Sequence, residues 1–496
     1  MASVLALDQG TTGSTALIMS SSGEVVARSY REFTQYFPEP GLVEHDAAEI
    51  WQVTLEVARE AIGQAGELPA AIGITNQRET VVCWDRDTGD PLHRALVWQD
   101  RRTAERCREL RSELGDDVIA EKTGLVWDPY FSGTKIEWMV RRSSVVRRQL
   151  SEGKAVFGTI DSWLVYKLTG GKAHVTDHTN ASRTLLYNIN SKQWDPDLLE
   201  LFGVPSESLP EIRLSSEIVG ICDPSLFGGE IPVAGIAGDQ QAALFGQGCW
   251  EPGQAKSTYG TGAFLLMVVG AERGSRDQNQ GKGVLTTVAC DAFGGPVFAL
   301  EGSVFIAGAA VQWLRDGLGI IETAPETEGL AASIPDTGGV YFVPALVGLG
   351  APYWEPDARG TIVGLTRGTQ RTHLARAALE AMAYSTRDVA EAMMNASGVS
   401  LTELKADGGA AANDWLMQFQ ADTLGVRVAR PDVVETTAAG VAGLAGLATG
   451  VWSDARQFLA FRSYGWFEPK TADAAGYKGW KRAVDTALHW ARAVGD

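Results

Sequence analysis

The first residues of the chain alternate short apolar runs with polar turns. Residues 4–7 and 15–19 are apolar, and the polar, glycine-rich residues 8–13 separate them. This spacing predicts a strand, a turn rich in Gly and Thr, and a returning strand. We therefore expect the chain to open with an antiparallel pair of strands.

A helical period and a buried strand follow. Asp46 and Glu49 have the spacing of a capping box, which predicts that a helix begins after Asp46. The apolar face of this helix comprises Ile50, Val53, Val57 and Ala61. Residues 71–75 form an apolar run that ends in the polar residues 76–79, and this pattern predicts a buried strand.

The same pattern begins again near residue 232. Residues 232–238 are a short apolar run before Asp239, and residues 256–269 hold a Thr/Gly turn between two apolar runs. Strands that alternate with helices predict an α/β fold. We expect two domains, residues 1–250 and 251–496, with a ligand bound in a cleft between them.

Composition excludes several classes of protein. A length of 496 residues agrees with two or three domains. The chain has 43 Lys and Arg residues against 61 Asp and Glu residues, a net charge of −18, which disfavours nucleic acid or an anionic membrane as a partner. Hydrophobic and charged fractions of 45% and 21% are typical of a globular protein and not of a disordered one.

The cysteines and the apolar stretches indicate a cytoplasmic protein. The five cysteines are scattered and form no Cys-x-x-Cys pair, which disfavours a disulfide scaffold and a zinc site. The chain begins MASVLALDQG, without a basic lead, so we expect no signal peptide. The uncharged residues 337–354 and 436–453 are broken by proline or rich in small residues, so we expect no membrane span.

The turn at residues 8–13 has chemistry suited to a phosphate chain. Its sequence is Asp-Gln-Gly-Thr-Thr-Gly, and the Thr hydroxyls and successive N–H groups can donate to phosphate oxygens. Asp8 can hold Mg²⁺ through water. No Gly-Lys-Ser/Thr follows, so this is not a Walker loop. A hairpin turn with an Asx cap is an equally supported alternative for this segment alone.

Two further kinds of segment suggest ligand contacts. Asp239 ends a strand and can accept a hydroxyl proton or bind the same metal ion, or it can cap a helix beginning at Gln240. Glycine turns at residues 259–262 and 407–413 flank strand or helix starts, which favour anions. For each glycine turn taken singly, close packing or a helix cap is the better interpretation.

Polar and aromatic residues that follow predicted strands suit a small polyol. Arg78 and Glu79, residues 98–100 and residues 128–130 offer hydrogen bonds, and Trp98 offers an apolar wall to a carbon chain. The alternative is a surface ion pair with a tryptophan in the core. Because the chain contains 15 tryptophans, that alternative is strong for Trp98 taken alone.

These segments occur in the order found in the FGGY family of carbohydrate kinases. Residues 130–139, Tyr-Phe-Ser-Gly-Thr-Lys-Ile-Glu-Trp-Met, resemble the first family pattern, and residues 360–380 resemble the second. The similarity extends over essentially the whole chain. Within this family the chain resembles the members that phosphorylate glycerol.

The resemblance implies an α/β fold with two domains of the actin/hexokinase/Hsp70 type, which is ribonuclease H-like, and an inter-domain cleft. It implies transfer of a phosphoryl group from ATP, with Mg²⁺, to glycerol, giving sn-glycerol 3-phosphate. Asp8 and Asp239 correspond to the metal-binding carboxylates, and Asp239 is also the general base. The partners implied are glycerol and copies of the same chain in a dimer or tetramer, without nucleic acid.

The resemblance also assigns ligand-binding residues, with the polyol and phosphate groups in residues 1–250 and the nucleotide in residues 251–496. The implied glycerol-binding residues are Arg78, Glu79, Trp98, Tyr130, Asp239, Gln240 and Phe264. The implied nucleotide-binding residues are Thr11, Thr12, Gly13, Thr261, Gly308, Gln312, Gly409 and Asn413.

One departure and two alternatives remain. Thr15 stands where the family usually has Arg, and this predicts weaker ATP binding. A kinase for xylulose, ribulose or gluconate is the near alternative, and a non-catalytic ATP-binding or chaperone-like protein is the more distant one. Asp239 and the polyol-binding residues favour an enzyme that acts on glycerol over both alternatives.

Overall fold

The computed structural model describes residues 2–274, 283–432, 435–471 and 474–493. The chain forms two compact units. The first unit comprises Met1–Trp250, Thr286–Phe298 and Glu435–Arg462, and the second comprises Glu251–Leu285, Ala299–Val434 and Ser463–Asp496. The main division follows residue 250, but two later segments of the chain return to the first unit, so the units are not simply the two halves of the sequence.

Short strands and helices alternate through the first 250 residues. The strands are β1 (Ser3–Gln9), β2 (Gly13–Ser20), β3 (Val25–Glu32), β4 (Gln35–Tyr36), β5 (Glu44–His45), β6 (Ala71–Asn76), β7 (Val81–Asp85), β8 (Ala95–Leu96), β9 (Ala155–Thr159), β10 (Val175–Asp177), β11 (Tyr187–Asn188), β12 (Gln193–Trp194), β13 (Glu211–Arg213), β14 (Ser216–Ile221) and β15 (Pro232–Gly238). The helices are α1 (Ala47–Ala65), α2 (Ala104–Leu114), α3 (Asp116–Thr123), α4 (Ser132–Arg142), α5 (Ser144–Ser151), α6 (Ile160–Leu168), α7 (His178–Ala181), α8 (Pro196–Phe202), α9 (Pro224–Phe227) and α10 (Asp239–Gly246).

The rest of the chain has the same alternating character. Its strands are β16 (Gln254–Tyr259), β17 (Ala263–Gly270), β18 (Leu285–Cys290), β19 (Pro296–Val304), β20 (Tyr341–Val343), β21 (Thr361–Val363), β22 (Glu403–Asp407), β23 (Arg427–Pro431) and β24 (Tyr464–Phe467). Its helices are α11 (Gly308–Gln312), α12 (Glu326–Ala332), α13 (Arg371–Ser397), α14 (Asp414–Leu424), α15 (Thr436–Ala448), α16 (Ala455–Leu459) and α17 (Ala474–Ala493).

The main sheet of the first unit has the strand order β14-β15-β6-β1-β2-β3. The predicted opening pair is confirmed, because β1 runs antiparallel to β2. β1 and β15 each run parallel to β6. The carboxyl ends of these three strands therefore share one edge of the sheet, and this edge carries Asp8, residues 76–79 and Asp239.

Helix α1 forms where the sequence predicts it and covers one face of this sheet. The Asp46 side chain accepts hydrogen bonds from the N–H groups of Ala48 and Glu49 at the start of the helix. The predicted apolar face, Ile50, Val53, Val57 and Ala61, is buried. Glu49 accepts hydrogen bonds from the Thr34 N–H and hydroxyl, at 2.9 and 2.8 Å, and so ties the helix start to the connection between β3 and β4.

Helix α15 covers the other face of the sheet, in a core cluster with Val4, Ala6 and Ala71. A Cβ on Gly440 would lie 1.9 Å from the Ala242 carbonyl oxygen, so α10 and α15 pack backbone against backbone. The small residues of α15 allow this contact in a helix interior. Of the helices in the described part of the chain, none combines the length and apolar composition needed to cross a membrane.

The sheet of the second unit includes the strand order β19-β17-β16-β22-β23-β24. β16 runs antiparallel to β17 and parallel to β22, as β1 does with β2 and β6 in the first unit. The turn at residues 260–262 and the residues after Asp407 therefore lie at the same edge of this sheet. The long helix α13 contributes Ala381 and Tyr384 to a core cluster that also contains Trp480 of α17.

Candidate functional site

Arg78 and Glu79 follow β6 and lie buried at the sheet edge, with exposures of 3% and 1%. The Arg78 Nε atom lies 3.3 Å from Asp239 Oδ1 and 3.8 Å from Glu79 Oε1, and the Arg78 Nη1 atom donates to Gln241 Oε1 at 3.3 Å. A Cβ on Gly238 would lie 2.7 Å from Arg78 Cγ, so only glycine leaves room for this guanidinium before Asp239. The arginine thus joins the ends of two parallel strands.

Glu79 is held in an unusual backbone conformation. Its φ of +64° is left-handed, which costs a residue other than glycine about 1–3 kcal/mol. The Ser132 hydroxyl donates to the Glu79 carbonyl oxygen at 2.8 Å, and Arg183 Nε donates to Glu79 Oε1 at 2.6 Å. The Glu79 carboxylate is therefore buried between Arg78 and Arg183 and fixed in direction.

Arg183 lies outside the predicted set of site residues but contacts Glu79. Its side chain has no exposed surface, and its guanidinium carbon lies 5.7 Å from the Tyr130 ring centroid and 5.2 Å from that of Phe131. The Arg183 guanidinium thus gives the buried Glu79 carboxylate a charged hydrogen-bond donor in place of solvent. The signal in the sequence is the polar run at residues 176–184, which interrupts an otherwise apolar part of the chain.

Trp98 and Tyr130 form an aromatic corner next to these charges. Both side chains are half-buried, and their ring centroids are 5.5 Å apart at an interplanar angle of 88°. The Trp98 Nε1–H donates to Thr11 Oγ1 at 3.0 Å. Trp98 is therefore not a core tryptophan. Its indole links Tyr130, a predicted glycerol-binding residue, to the turn at residues 8–13.

Lys135 donates hydrogen bonds to the backbone of both residues of this corner. Its side chain is buried, and Nζ donates to the carbonyl oxygens of Tyr130 at 2.9 Å and Trp98 at 3.5 Å. Burial lowers the pKa of Lys135 from 10.5 to about 8. Asp100, from the same predicted polar segment as Trp98, accepts from the Val43 N–H and from Arg102, so it is a structural residue.

Asp8 and Asp239 are the two carboxylates predicted to hold a metal ion. The pKa of Asp8 is raised to about 7, first by burial and then by the negative charges of Asp239 and Glu435. Asp239 is partly exposed and accepts the Gln240 N–H at 2.7 Å. Helix α10 begins at Asp239 itself, so Asp239 is not the cap of a helix starting at Gln240.

Two such carboxylates fit a hard divalent cation that keeps several waters. Mg²⁺ is usually bound by one or two carboxylates together with water and substrate phosphates. Within the described residues, no group of three or more His, Cys, Asp or Glu side chains could hold a metal ion. The pair is therefore suited to an ion that arrives with phosphate oxygens, and the charge of the ion would relieve the repulsion that raises the pKa of Asp8.

The second unit contains a cavity of about 550 Å³. Five of the predicted nucleotide-binding residues line it, namely Thr261, Gly308, Gln312, Gly409 and Asn413. The Gly308 N–H donates to the Gly260 carbonyl at 3.0 Å, and a Cβ on Gly308 would lie 2.5 Å from that oxygen. Asn413 Oδ1 caps α14 by accepting the Leu416 N–H at 2.9 Å.

The apolar residues that line this cavity lie outside the predicted set of nucleotide-binding residues. Ala324, Pro325, Leu379 and Met382 line it, and apolar side chains of this kind suit a flat aromatic ring. Leu379 and Met382 come from α13, where they lie three residues apart on one face. Their spacing is common to any buried helix, so the sequence alone does not distinguish them from core residues.

The remaining predicted residues lie in both units. Thr11 and Thr12 are in the turn between β1 and β2, which the Gly10 N–H closes by donating to the Gly13 carbonyl at 2.9 Å. A Cβ on Gly13 would lie 2.6 Å from the Arg31 carbonyl oxygen, so this glycine allows β2 to pack on β3. Phe264 is half-buried on β17 of the second unit, and its contact with glycerol stays a prediction.

Known proteins resemble this chain over its whole length. The model of the N-terminal domain of the FGGY family of carbohydrate kinases matches residues 3–246, and the C-terminal domain model matches residues 255–449. A glycerol kinase from Caldanaerobacter subterraneus subsp. tengcongensis is 54% identical over 499 residues, covering 98% of this chain and 99% of that protein. A glycerol kinase from Carboxydothermus hydrogenoformans is also 54% identical and covers 98% of both chains.

A solved structure shows the same fold. The crystal structure of Plasmodium falciparum glycerol kinase with ADP has a TM-score of 0.93, with 35% sequence identity and coverage of 98% of both chains. The family models, the relatives and this structure agree with the resemblance found in the sequence. The chain belongs to the FGGY family of carbohydrate kinases.

Proposed function

We propose that the protein transfers the terminal phosphoryl group of ATP to glycerol, giving sn-glycerol 3-phosphate and ADP. The observation that carries this proposal is the ion-paired set of Arg78, Glu79 and Asp239, of which Arg78 and Glu79 are buried, beside the aromatic corner of Trp98 and Tyr130. The relatives named glycerol kinase, at 54% identity over nearly the whole chain, support the choice of substrate.

Glycerol requires a site that pairs three hydroxyl groups and covers three carbons. Arg78 can donate hydrogen bonds to hydroxyl oxygens, and Glu79, whose carboxylate Arg183 holds in place, can accept hydrogen bonds from hydroxyl groups. Trp98 and Tyr130 cover the carbon chain, and Gln240 and Phe264 complete the set. A site built to pair each hydroxyl discriminates strongly against analogues that lack one.

Asp239 is the proposed general base. Arg78 orients its carboxylate at 3.3 Å, and Gln240 donates to the same oxygen, Oδ1, so Oδ2 is left to accept the proton of the attacking hydroxyl. A positioned base contributes roughly 10²–10⁴-fold to such a step. Asp8 and Asp239 would hold Mg²⁺, which supplies positive charge for the phosphate oxygens when it is bound.

The nucleotide is proposed to bind in the cavity of the second unit. Leu379, Met382 and Pro325 would contact the base, and the backbone around Gly308 and Gly409 would approach the phosphates closely. Thr11, Thr12 and Gly13 would contribute hydroxyl and N–H donors from the first unit. Most of the predicted glycerol-binding residues therefore belong to the first unit, and most of the predicted nucleotide-binding residues belong to the second.

Coupled measurement of ADP release by the purified protein tests the proposed function. We expect ADP release that depends on glycerol and is much slower with xylulose, ribulose or gluconate. Faster ADP release with one of these sugars than with glycerol would mean that the sugar, and not glycerol, is the substrate. Nucleotide binding with no polyol-dependent ADP release would instead support the non-catalytic alternative.

Two further expectations belong to this proposal. A homo-oligomer, either a dimer or a tetramer, is expected and can be measured by sedimentation. A cytoplasmic location is expected from the cysteines, all five of which are buried and unpaired by disulfides. Fractionation of the source cells checks the location.

A further inference from the structure

A polar turn in the first unit contacts the residues of the proposed polyol site. It comprises residues 177–184, follows β10 and includes α7. Asp177, at its start, has no exposed surface. The Asp177 carboxylate accepts from the N–H and hydroxyl of Thr179 at 3.0 and 2.7 Å, from the N–H and amide of Asn180 at 3.0 and 2.9 Å, and from the Ser215 hydroxyl at 2.7 Å.

This turn reaches the strand that ends in Asp239. The Thr179 hydroxyl donates a hydrogen bond to Asp177, and its oxygen accepts the Gly238 N–H at 2.9 Å. Gly238 is the last residue of β15 and comes directly before Asp239. The backbone that carries the proposed base is thus connected to a buried carboxylate through one hydroxyl.

The same turn also reaches the strand that leads to Glu79. Asn180 Oδ1 accepts from Asn76 Nδ2 at 3.0 Å, at the end of β6. Arg183, at the other end of the turn, donates to Glu79 Oε1 at 2.6 Å. One turn therefore contacts both parallel strands whose ends carry the proposed site.

We propose that residues 177–184 position the two halves of the polyol site, with Thr179 acting on Asp239 through Gly238 and Arg183 acting on Glu79. The proposal rests on the proposed function. The two carboxylate oxygens of Asp177 accept all five hydrogen bonds. Hydrogen bonds between buried groups are stronger than those in water, so this network holds its members in one arrangement. Displacement of a reacting group by about 1 Å can cost about 10²-fold in rate.

Thr179→Val tests the connection to Asp239, because valine has the shape of threonine without its hydroxyl. We expect kcat to fall about ten- to a hundredfold, with KM for glycerol changed less than about threefold. Thr179→Ser restores the hydroxyl and should restore kcat. The control is Thr169→Val, since Thr169 is also buried, donates to the Val165 carbonyl at 2.8 Å and accepts the Ala173 N–H at 3.1 Å.

Arg183→Lys tests the connection to Glu79, because lysine keeps the charge but not the directed guanidinium. We expect KM for glycerol to rise at least about tenfold, with KM for ATP within about twofold of the wild-type value. Calorimetric titration of the variant with glycerol gives the same loss without turnover. The two variants should therefore differ in kind, one affecting kcat and the other affecting KM for glycerol.

Each outcome decides the matter. If Thr179→Val loses no more kcat than Thr169→Val, or if Arg183→Lys raises both KM values equally, the turn is only structural and the inference is wrong. If the wild-type protein neither binds glycerol nor releases ADP in its presence, the proposed function fails, and this inference fails with it. An active wild type with unaffected variants overturns the inference alone.

Discussion

The two units share an arrangement of three strands but place different kinds of chemical group at its edge. In the first unit β1 lies between antiparallel β2 and parallel β6, and in the second unit β16 lies between antiparallel β17 and parallel β22. β6 leads to Arg78 and Glu79, whereas β22 leads to Gly408 and Gly409. The first unit therefore presents charged side chains at this edge, and the second presents bare backbone.

Residues with a positive φ show how the edges of the two sheets differ. Glu79 has a φ of +64° and Gly408 a φ of +86°, each shortly after the parallel strand. Glycine adopts this conformation without cost, and glutamate does not. The first unit accepts about 1–3 kcal/mol of strain to place a carboxylate there, and it restrains that residue through Ser132 and Arg183. A ligand-binding side chain such as Glu79 must be held in place by its neighbours. A backbone segment such as that at Gly408 instead needs free space beside it.

Asp239→Asn should have the largest effect on the side chain-based site. The amide keeps the shape of the carboxylate but cannot accept the hydroxyl proton, so we expect kcat to fall roughly 10²–10⁴-fold with little change in nucleotide binding. Steady-state kinetics and ATP titration measure the two quantities. Asp223→Asn is the matched control, because Asp223 also follows a strand and accepts the Ser225 N–H at 2.9 Å. Near-normal turnover of Asp239→Asn would remove Asp239 from the mechanism.

Gly408→Ala should have the largest effect on the backbone-based site. A Cβ there would lie 2.4 Å from the Tyr259 carbonyl oxygen, and backbone atoms cannot move aside as a flexible side chain can. We expect KM for ATP to rise about tenfold or more and the free energy of unfolding to fall by about 1–3 kcal/mol. Titration with glycerol should give the wild-type affinity.

Gly115→Ala separates the clash from the backbone strain. Gly115 has nearly the backbone conformation of Gly408, with φ and ψ of +75° and 170° against +86° and 173°, but a Cβ there would have no atom within 4 Å. This variant should lose about 1–3 kcal/mol of stability from the strain and keep the wild-type KM for ATP. Equal kinetic effects of the two substitutions would show that empty space beside Tyr259 is not what the nucleotide site requires.

The sequence predicts the strand ends and turns of both sites better than it predicts the residues that hold the site side chains in place. Strand ends, glycine turns and a charged pair after a strand are local features, so Asp8, Arg78 and Gly409 could be identified from the chain. Arg183 and Lys135 act from a distance along the sequence, and their roles depend on packing that brings residues 183 and 79 together. The sequence also does not reveal that residues 435–462 return to the first unit, because α15 packs there through small and apolar residues, and its Leu444 carbonyl accepts a hydrogen bond from the Ser216 hydroxyl.

Lys135→Met tests whether the aromatic corner depends on a buried charge. Loss of the two hydrogen bonds to the Trp98 and Tyr130 carbonyls should raise KM for glycerol about three- to tenfold. The pKa of Lys135 is lowered to about 8, so above pH 8 the folded protein releases a proton that the unfolded chain keeps until about pH 10.5.

The unfolding free energy of the wild type should therefore rise relative to Lys135→Met between pH 8 and about pH 10.5, by at most about 1.4 kcal/mol per pH unit. Urea unfolding of both proteins across this range measures the difference. Lys122→Met is the control, because Lys122 is partly exposed and pairs with Asp195 at 2.8 Å, which raises its pKa. A pH-independent difference for Lys135→Met would mean that Lys135 is not a buried titrating group.

Thr15→Arg should have the smallest effect, and it adds to the first unit the cation that the family usually has. Thr15 is directly opposite Asp8 in the β1–β2 ladder, so the two side chains lie on the same face of the sheet. An arginine there would place a guanidinium beside Asp8 and the proposed phosphate path. We expect KM for ATP to fall about two- to fivefold, as for a charge pair that is partly exposed to solvent.

Thr15→Met is the control for this change, because it adds a long side chain without the charge. The arginine variant should show the lower KM for ATP only at low ionic strength, since salt screens an exposed pair. Equal values for the two variants would mean that another group already neutralises the phosphates near Asp8. Recognition at the turn would then depend on hydroxyl and N–H donors alone, and the first unit would resemble the second more closely than its buried charges indicate.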